Sequence, residues 1–302
     1  MEHTDFYRGV FVAAATPFLE NGQVDTDTLS RLTEHYIQEG INGIFVLSST
    51  GECFAMIPEN RMAVVETVVA AARGRIPVLT MVSDACLDTV LSNIHQMAEL
   101  GVDGVVLTAP YYFKYSQDEL FAFFTKAADE SPVPVLLYNQ PTRLPSALEE
   151  ELVLRLSQHP NILGLKDTCA DRERVCRLAE HFRNRKDFLY YAGSESLAGE
   201  AALLGANYVY ALAGIEPSLF VNMLARGKEG NRQAVLEGQA RVNELCRLFR
   251  VMGGGSAESF NNFAGALKAA LELQGFGKAY TAQLGRLPSP EEYAAIRQIL
   301  EK

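Results

Sequence analysis

The sequence predicts an α/β fold, a closed (β/α)8 TIM barrel with a C-terminal helical extension. Eight short runs rich in Val, Ile, Leu and Tyr recur along the first two thirds of the chain, with starting points 19 to 34 residues apart. The runs are apolar almost throughout, as is typical of strands covered on both faces. Segments with helical periodicity separate them, and a strand with one crossover helix needs about thirty residues.

The eight predicted strands begin at Val10, Gly43, Pro77, Gly104, Pro134, Ile162, Phe188 and Asn207. The first crossover, 29–40, repeats apolar residues at helical spacing and ends at Gly40, a typical helix C-cap. The segment 90–101 has the same pattern. The last crossover, 196–204, is short but still makes about two turns.

After Gly214 the pattern is helical to the end of the chain. We predict helices at 217–229, 232–251, 260–273 and 289–300, with a GGGS loop at 253–256. The chain is therefore divided into a catalytic barrel, residues 1–215, and C-terminal helices packed on it, residues 216–302. A doubly wound open sheet is the alternative, but no GxGxxG motif follows the first strand as its dinucleotide-binding form requires.

Composition and charge narrow the classes of partner. The 302 residues are 48% hydrophobic and 21% charged, which is ordinary for a globular protein. A net charge of −10 makes nucleic acid and anionic membranes poor partners, although local donors could still bind a small anion. Five cysteines without a CxxC pair indicate reduced thiols. The apolar run 10–18 is too short to span a membrane, so we expect a cytoplasmic protein.

Polar residues follow several predicted strands at their carboxyl ends, in the segments 48–52, 83–84, 111–112, 138–139, 166–168 and 193–195. In a barrel these ends and the loops that follow them surround one mouth, where the chemistry takes place. Three tyrosines, a lysine and a Ser-Thr-Gly turn are therefore expected to converge. This clustering predicts an active site.

Lys166 is the strongest candidate for a catalytic residue because it ends a strand expected to be buried on both faces. Desolvation there disfavours the ammonium and makes the neutral amine available as a nucleophile, as a Schiff-base lysine requires. The alternative is a structural lysine paired with Asp167 or Glu195. Position on the strand leaves both interpretations open.

Three further features have a functional and a structural interpretation. Tyr138 ends the neighbouring strand, where its phenol could relay protons or simply pack in the core. Hydroxyls and backbone N–H groups of Ser49, Thr50 and the following glycine could hold a carboxylate or cap the next helix. Arg143 could clamp a carboxylate or lie solvated in its loop.

The five histidines fall on the N-terminal tail or on helical segments, away from the mouth. We therefore predict no metal site, no Ser-His-Asp triad and no cofactor.

With SSTGE, PYYFK, YNQPTR, GLKDT and GSE at five strand ends in this order, the chain resembles the dihydrodipicolinate synthase/N-acetylneuraminate lyase family. Its members are (β/α)8 class I aldolases that bind a 2-oxo acid, usually pyruvate, as an imine. The resemblance covers nearly the whole chain, including LKAAL at 267–271. It implies a lyase that needs no metal, acts on pyruvate and an aldehyde, and assembles as a homo-oligomer, a tetramer built as a dimer of dimers.

The resemblance also implies roles for individual residues. Lys166 would form the imine, and Tyr138 would donate and accept protons beside it. Ser49 and Thr50 would hold the pyruvate carboxylate, with Thr50 also joining a proton relay. Tyr112 matches a tyrosine that in the synthases crosses a dimer interface into the neighbour's site.

Gly193 would keep the backbone close to the keto acid, and Arg143 would bind the second substrate's carboxylate. Three departures accompany these matches. Pro145 replaces a glycine after the arginine, the third strand ends in MVSDACLD without a Gly- and Asn-containing turn, and Tyr210 replaces a small aliphatic residue facing the pocket.

These departures favour reversible cleavage of a 2-keto-3-deoxy sugar acid, or a related 4-hydroxy-2-oxo acid, to pyruvate and an aldehyde. The alternative is a dihydrodipicolinate synthase that condenses pyruvate with aspartate semialdehyde. A dehydratase using the same chemistry and a catalytically silent keto-acid sensor also remain open.

Overall fold

A computed structural model describes residues 4–253, 259–283 and 285–302. Eight parallel strands close into a barrel in chain order, which confirms the predicted fold. The strands are β1 Val10–Ala13, β2 Gly43–Val46, β3 Val78–Met81, β4 Gly104–Thr108, β5 Val135–Asn139, β6 Ile162–Asp167, β7 Leu189–Ala192 and β8 Asn207–Tyr210. Every residue of these strands is buried, because helices cover the outside and side chains fill the inside.

Helices follow the strands around the barrel. They are α1 Thr26–Gln38, α2 Pro58–Ala72, α3 Leu87–Glu99, α4 Gln117–Glu130, α5 Glu150–Leu156, α6 Arg172–Phe182, α7 Ala198–Leu204 and α8 Pro217–Lys228. Local signals set many of their ends. For example, Ser116 and Glu119 form a capping box at the start of α4, which satisfies two otherwise free backbone N–H groups.

The C-terminal part contains α9 Arg232–Leu245, α10 Leu248–Val251, α11 Phe260–Leu273 and α12 Pro290–Leu300. The helix predicted at 232–251 is two helices, because hydrogen bonds from Arg247 N to Glu244 O and from Phe249 N to Cys246 O tighten the chain between them. The predicted loop at 253–256 lies outside the described residues except for Gly253.

The division of the chain at residue 215 stays a prediction. In the structure α8 follows β8 and packs on α7 and β1, as the eighth helix of a barrel does. Among the described residues, no helix is both long and apolar enough to cross a membrane.

Candidate active site

Two adjoining cavities open at the carboxyl ends of the strands. The smaller, about 120 Å³, contains Lys166, and the larger, about 490 Å³, extends toward the loops after β2 and β4. Both are lined by Ser49, Tyr138, Gln140 and Arg143. The mouth of the barrel therefore holds one continuous site with a deep part and an outer part.

Lys166 lies on β6 with 4% of its surface exposed. Its Nζ is 4.1 Å from the centroid of the Tyr138 ring and 4.9 Å from that of Phe45. In the described part of the chain it makes no ion pair, because the carboxylate of Asp167 is bound by Arg174 Nε at 2.7 Å. The predicted alternative, a salt-bridged structural lysine, does not occur among these residues, and the amine faces a cavity.

The barrel's own register places the lysine and the phenol together. Tyr138 pairs with Lys166 across β5 and β6, and the next pair is Asn139 with Asp167. Asn139 Nδ2 donates to Asp167 Oδ1 at 2.9 Å, and Arg174 also donates to the Leu148 carbonyl oxygen at 2.8 Å. Because side chains alternate along a strand, this buried network holds both strands without occupying the site.

The turn after β2 presents donors to the smaller cavity. Gly51 N–H donates to Ser48 Oγ at 3.2 Å, and the Thr16 hydroxyl donates to the Gly51 carbonyl oxygen at 2.8 Å. A Cβ at Gly51 would lie only 3.0 Å from a backbone oxygen, so the turn is tightly packed. Ser49 and Thr50 both line the smaller cavity, and neither hydroxyl bonds to another described residue. They are available to bind a carboxylate.

Arg143 and Gly193 also lie at this cavity. The Arg143 guanidinium is 5.5 Å from the centroid of the Phe260 ring, and hydrogen bonds from residues 143 and 144 to the Gln140 carbonyl oxygen close its turn. Pro145 therefore does not remove the arginine from the mouth. A Cβ at Gly193 would lie 2.4 Å from Thr168 Oγ1, so only glycine fits there without a shift.

Two predicted site residues line neither cavity. Tyr112 is 81% exposed, has φ +90° and packs edge to face on Phe113, so it takes no part in its own chain's site. Its role in a neighbour's site stays a prediction. Tyr111 lines the larger cavity instead.

The expectation that Tyr210 faces the pocket is wrong. Its ring is 4.8 Å from that of Tyr208 and 5.4 Å from that of Phe220 on α8, so it points to the outside of the barrel. Alternation along β8 explains this, since the neighbouring Val209 and Ala211 line the smaller cavity.

Sequence reasoning missed several lining residues. Glu195, considered only as an ion-pair partner, lines the smaller cavity and accepts from Ala211 N–H at 3.0 Å. Burial raises the pKa of Glu195, although the backbone donors and the charge of Lys166 act in the opposite direction. Gln140 and Thr168 were given no role of their own, although Gln140 lies in the motif YNQPTR and Thr168 in the strand-end segment 166–168.

The C-terminal helices supply an aromatic wall that no sequence signal indicated. Phe249 and Phe263 line the smaller cavity with their ring centroids 5.0 Å apart, and Phe260 lines the larger one. These residues lie far in sequence from most of the strand ends, so no local sequence pattern predicts that they line the cavities. Apolar walls exclude water and strengthen polar interactions at the amine.

Within residues 4–253, 259–283 and 285–302, no group of three or more His, Cys, Asp or Glu side chains is arranged to hold a metal ion. The chemistry available at the mouth is that of a buried amine beside a phenol, with hydroxyl and guanidinium donors around it. Such a set can bind a keto acid and form an imine with its carbonyl carbon.

Comparisons with known proteins agree with this geometry. A family model described as the dihydrodipicolinate synthetase family matches residues 6–301. The 4-hydroxy-tetrahydrodipicolinate synthase of Laribacter hongkongensis is 35% identical over 237 residues, 78% of this chain and 79% of that protein. The solved dihydrodipicolinate synthase of Bacteroides thetaiotaomicron superposes with a TM-score of 0.90 at 28% identity, covering 97% of this chain and 98% of that one. The Acinetobacter baumannii dihydrodipicolinate synthase complexed with pyruvate has a TM-score of 0.87 at 25% identity, covering 97% and 98%.

Proposed function

The chain belongs to the dihydrodipicolinate synthetase family of enzymes, and from this premise we propose that it joins pyruvate to an aldehyde through a Schiff base on Lys166. The observation that carries the proposal is the environment of Lys166. Its amine is buried beside two aromatic rings, faces a cavity and forms no ion pair among the described residues. An amine that is buried at the base of a cavity can reach the carbonyl carbon of a bound keto acid, as imine formation requires.

The steps follow from the groups around that amine. Lys166 Nζ attacks the keto carbon of pyruvate, and loss of water leaves a protonated imine, which acts as an electron sink. Removal of a methyl proton gives an enamine, whose carbon attacks the aldehyde carbonyl. Water then releases the product and restores the amine. We assign proton transfer in these steps to Tyr138, whose ring centroid lies 4.1 Å from Nζ.

Aspartate semialdehyde is the first candidate for the aldehyde, which would make the reaction that of a 4-hydroxy-tetrahydrodipicolinate synthase. The relatives at 35% and 33% identity bear that name. Arg143 supports the assignment because it lines both cavities, where its planar fork could bind the carboxylate of this aldehyde. This candidate comes before the sugar-acid cleavage favoured by the sequence alone.

Cleavage of a 2-keto-3-deoxy acid is the second candidate, and Glu195 favours it. A carboxyl group with a raised pKa in the smaller cavity can accept a hydrogen bond from a substrate hydroxyl and, when protonated, donate one. The two candidates are separated by assaying condensation of pyruvate with aspartate semialdehyde against release of pyruvate from a panel of 2-keto-3-deoxy acids. The higher kcat/KM assigns the substrate class.

The imine itself is tested by adding pyruvate and borohydride and locating the reduced adduct by peptide mass spectrometry. We expect one adduct, on the peptide that contains Lys166. Lys166→Ala should abolish it, whereas Lys126→Ala, which removes an exposed lysine on α4, should not. Persistence of the adduct in Lys166→Ala would refute the proposal. An adduct without turnover of any aldehyde would instead indicate a keto-acid sensor.

A further inference from the structure

A buried ion pair joins the turn after β2 to the C-terminal helices. Lys268 on α11 is 2% exposed, and its Nζ pairs with Glu52, whose side chain is fully buried. Nζ also donates to the Tyr280 carbonyl oxygen at 2.7 Å and lies 4.3 Å from the centroid of the Phe18 ring. The other carboxylate oxygen of Glu52 accepts from Ala282 N–H at 2.7 Å. Both charges are thus held by several partners.

Glu52 closes the turn that presents Ser49 and Thr50. Its backbone has φ +61° and ψ +30°, the left-handed region that non-glycine residues rarely adopt. Its N–H donates to the Ser49 carbonyl oxygen at 3.1 Å. Such a conformation persists only where surrounding contacts impose it. The side-chain contacts of Glu52 with α11 and with the segment after it provide that constraint.

Stability alone does not account for this pair. Burial lowers the pKa of Lys268 to about 8, although the charge of Glu52 acts in the opposite direction. The cost of desolvating the ammonium therefore exceeds the stabilisation that it gains from the charge of Glu52. An apolar pair of similar volume would often be as stable or more stable. The pair is thus better explained by the geometry that it maintains.

We propose that Lys268 is a positioning residue for pyruvate, acting through Glu52 to hold the Ser49–Thr50 turn in the shape that binds the substrate carboxylate. The inference rests on the proposed function and deepens it. It assigns a task to the C-terminal helices, namely to fix one edge of a binding site formed by the barrel.

The test compares four proteins by the pyruvate concentration that gives half-maximal borohydride trapping at Lys166. We expect Lys268→Met to raise this concentration roughly tenfold, with near-normal trapping at saturating pyruvate, because the nucleophile is intact. In Glu52→Gln/Lys268→Met no charge is left unpaired, so stability should recover while the raised pyruvate requirement remains. Arg241→Met breaks the Arg241–Glu216 pair, neither residue of which lines the two cavities, and should leave the requirement within about twofold of wild type.

The outcomes distinguish a positioning role for Lys268 from a purely structural one. A purely structural role predicts that the double variant recovers stability and pyruvate binding together, which would overturn the inference. An unchanged requirement in folded Lys268→Met would overturn it as well. If Lys268→Met does not fold, the double variant carries the same test. Absence of any adduct in the wild-type protein would overturn the proposed function, and the inference with it.

Discussion

The two sides of the site are held in place by different kinds of contact. On the β5–β6 side, Lys166 and Tyr138 are supported by Asp167, which bonds to Arg174 seven residues away and to Asn139 on the adjacent strand. On the β2 side, the carboxylate-binding turn is held by α11 and by Ala282, 230 residues from Glu52. The reactive half is thus supported within neighbouring β/α units. The binding half depends on the far end of the chain.

This difference leads to a general expectation. Changes on the β5–β6 side should act on the chemical step or on global stability, whereas changes at the Glu52–Lys268 contact should act on pyruvate binding. Variants on each side would separate the two effects or show that the two sides act as one unit.

The largest effect is expected for Lys166→Ala. Removal of the nucleophile should lower kcat by roughly 10³-fold or more, because no imine can form. Steady-state kinetics measures the loss, and a cooperative thermal unfolding transition shows that the variant is folded. A variant with substantial kcat would show that the chemistry does not pass through this amine.

Tyr112→Ala should lower kcat by about 10²-fold if the tyrosine completes a neighbour's site. Because the inactive Lys166→Ala chain still carries Tyr112, a co-purified mixture of the two variants should recover part of the activity. The recovery is measured against each variant alone. No recovery in a mixture shown to contain hetero-oligomers would contradict the assignment and leave Tyr112 as a surface residue.

Asp167→Asn tests the support behind the reactive pair. It leaves the largely buried Arg174 without its counter-charge, so the free energy of unfolding should fall by about 3 kcal/mol. Urea denaturation measures this loss. The pyruvate requirement should stay near wild type while kcat falls. A raised pyruvate requirement with unchanged kcat would mean that the two sides of the site are not separately supported.

The smallest effect is expected from pH. The pKa of Lys268 is about 8 in the folded chain, below its ordinary value near 10.4. As the pH rises through 8, Lys268 loses its proton, Glu52 loses its counter-charge, and the half-saturating pyruvate concentration should rise by roughly threefold.

The same proton has the opposite effect on stability. Between about pH 8 and 10 the unfolded chain binds it more tightly than the folded chain, so the contribution of Lys268 to the free energy of unfolding increases with pH. Trapping titrations and urea denaturation measure the two trends. Glu52→Gln/Lys268→Met should show neither, and a wild-type titration curve that is flat to pH 9.5 would contradict the assignment.

Much of the site follows from local sequence, because the carboxyl ends of all the strands in a parallel barrel lie at the same mouth. The smaller cavity is lined, as predicted, by residues at or shortly after the carboxyl ends of β2, β5, β6 and β7, namely Ser49, Thr50, Tyr138, Arg143, Lys166 and Gly193. Their catalytic and binding roles stay predictions. Tyr210 shows the limit of this reasoning, since a shift of one residue on a strand turns a side chain from the mouth to the outside.

The sequence by itself determined the barrel, the family and the set of polar residues at its mouth. These depend on hydrophobic periodicity and on motifs that lie within a few residues of each strand end, and such short-range patterns can be read without coordinates. Only the tertiary structure decided that Asp167 binds Arg174 rather than Lys166, that Phe249 and Phe263 wall the smaller cavity, and that Lys268 reaches Glu52. Those contacts join residues whose proximity depends on how the helices pack, and no local pattern encodes that packing.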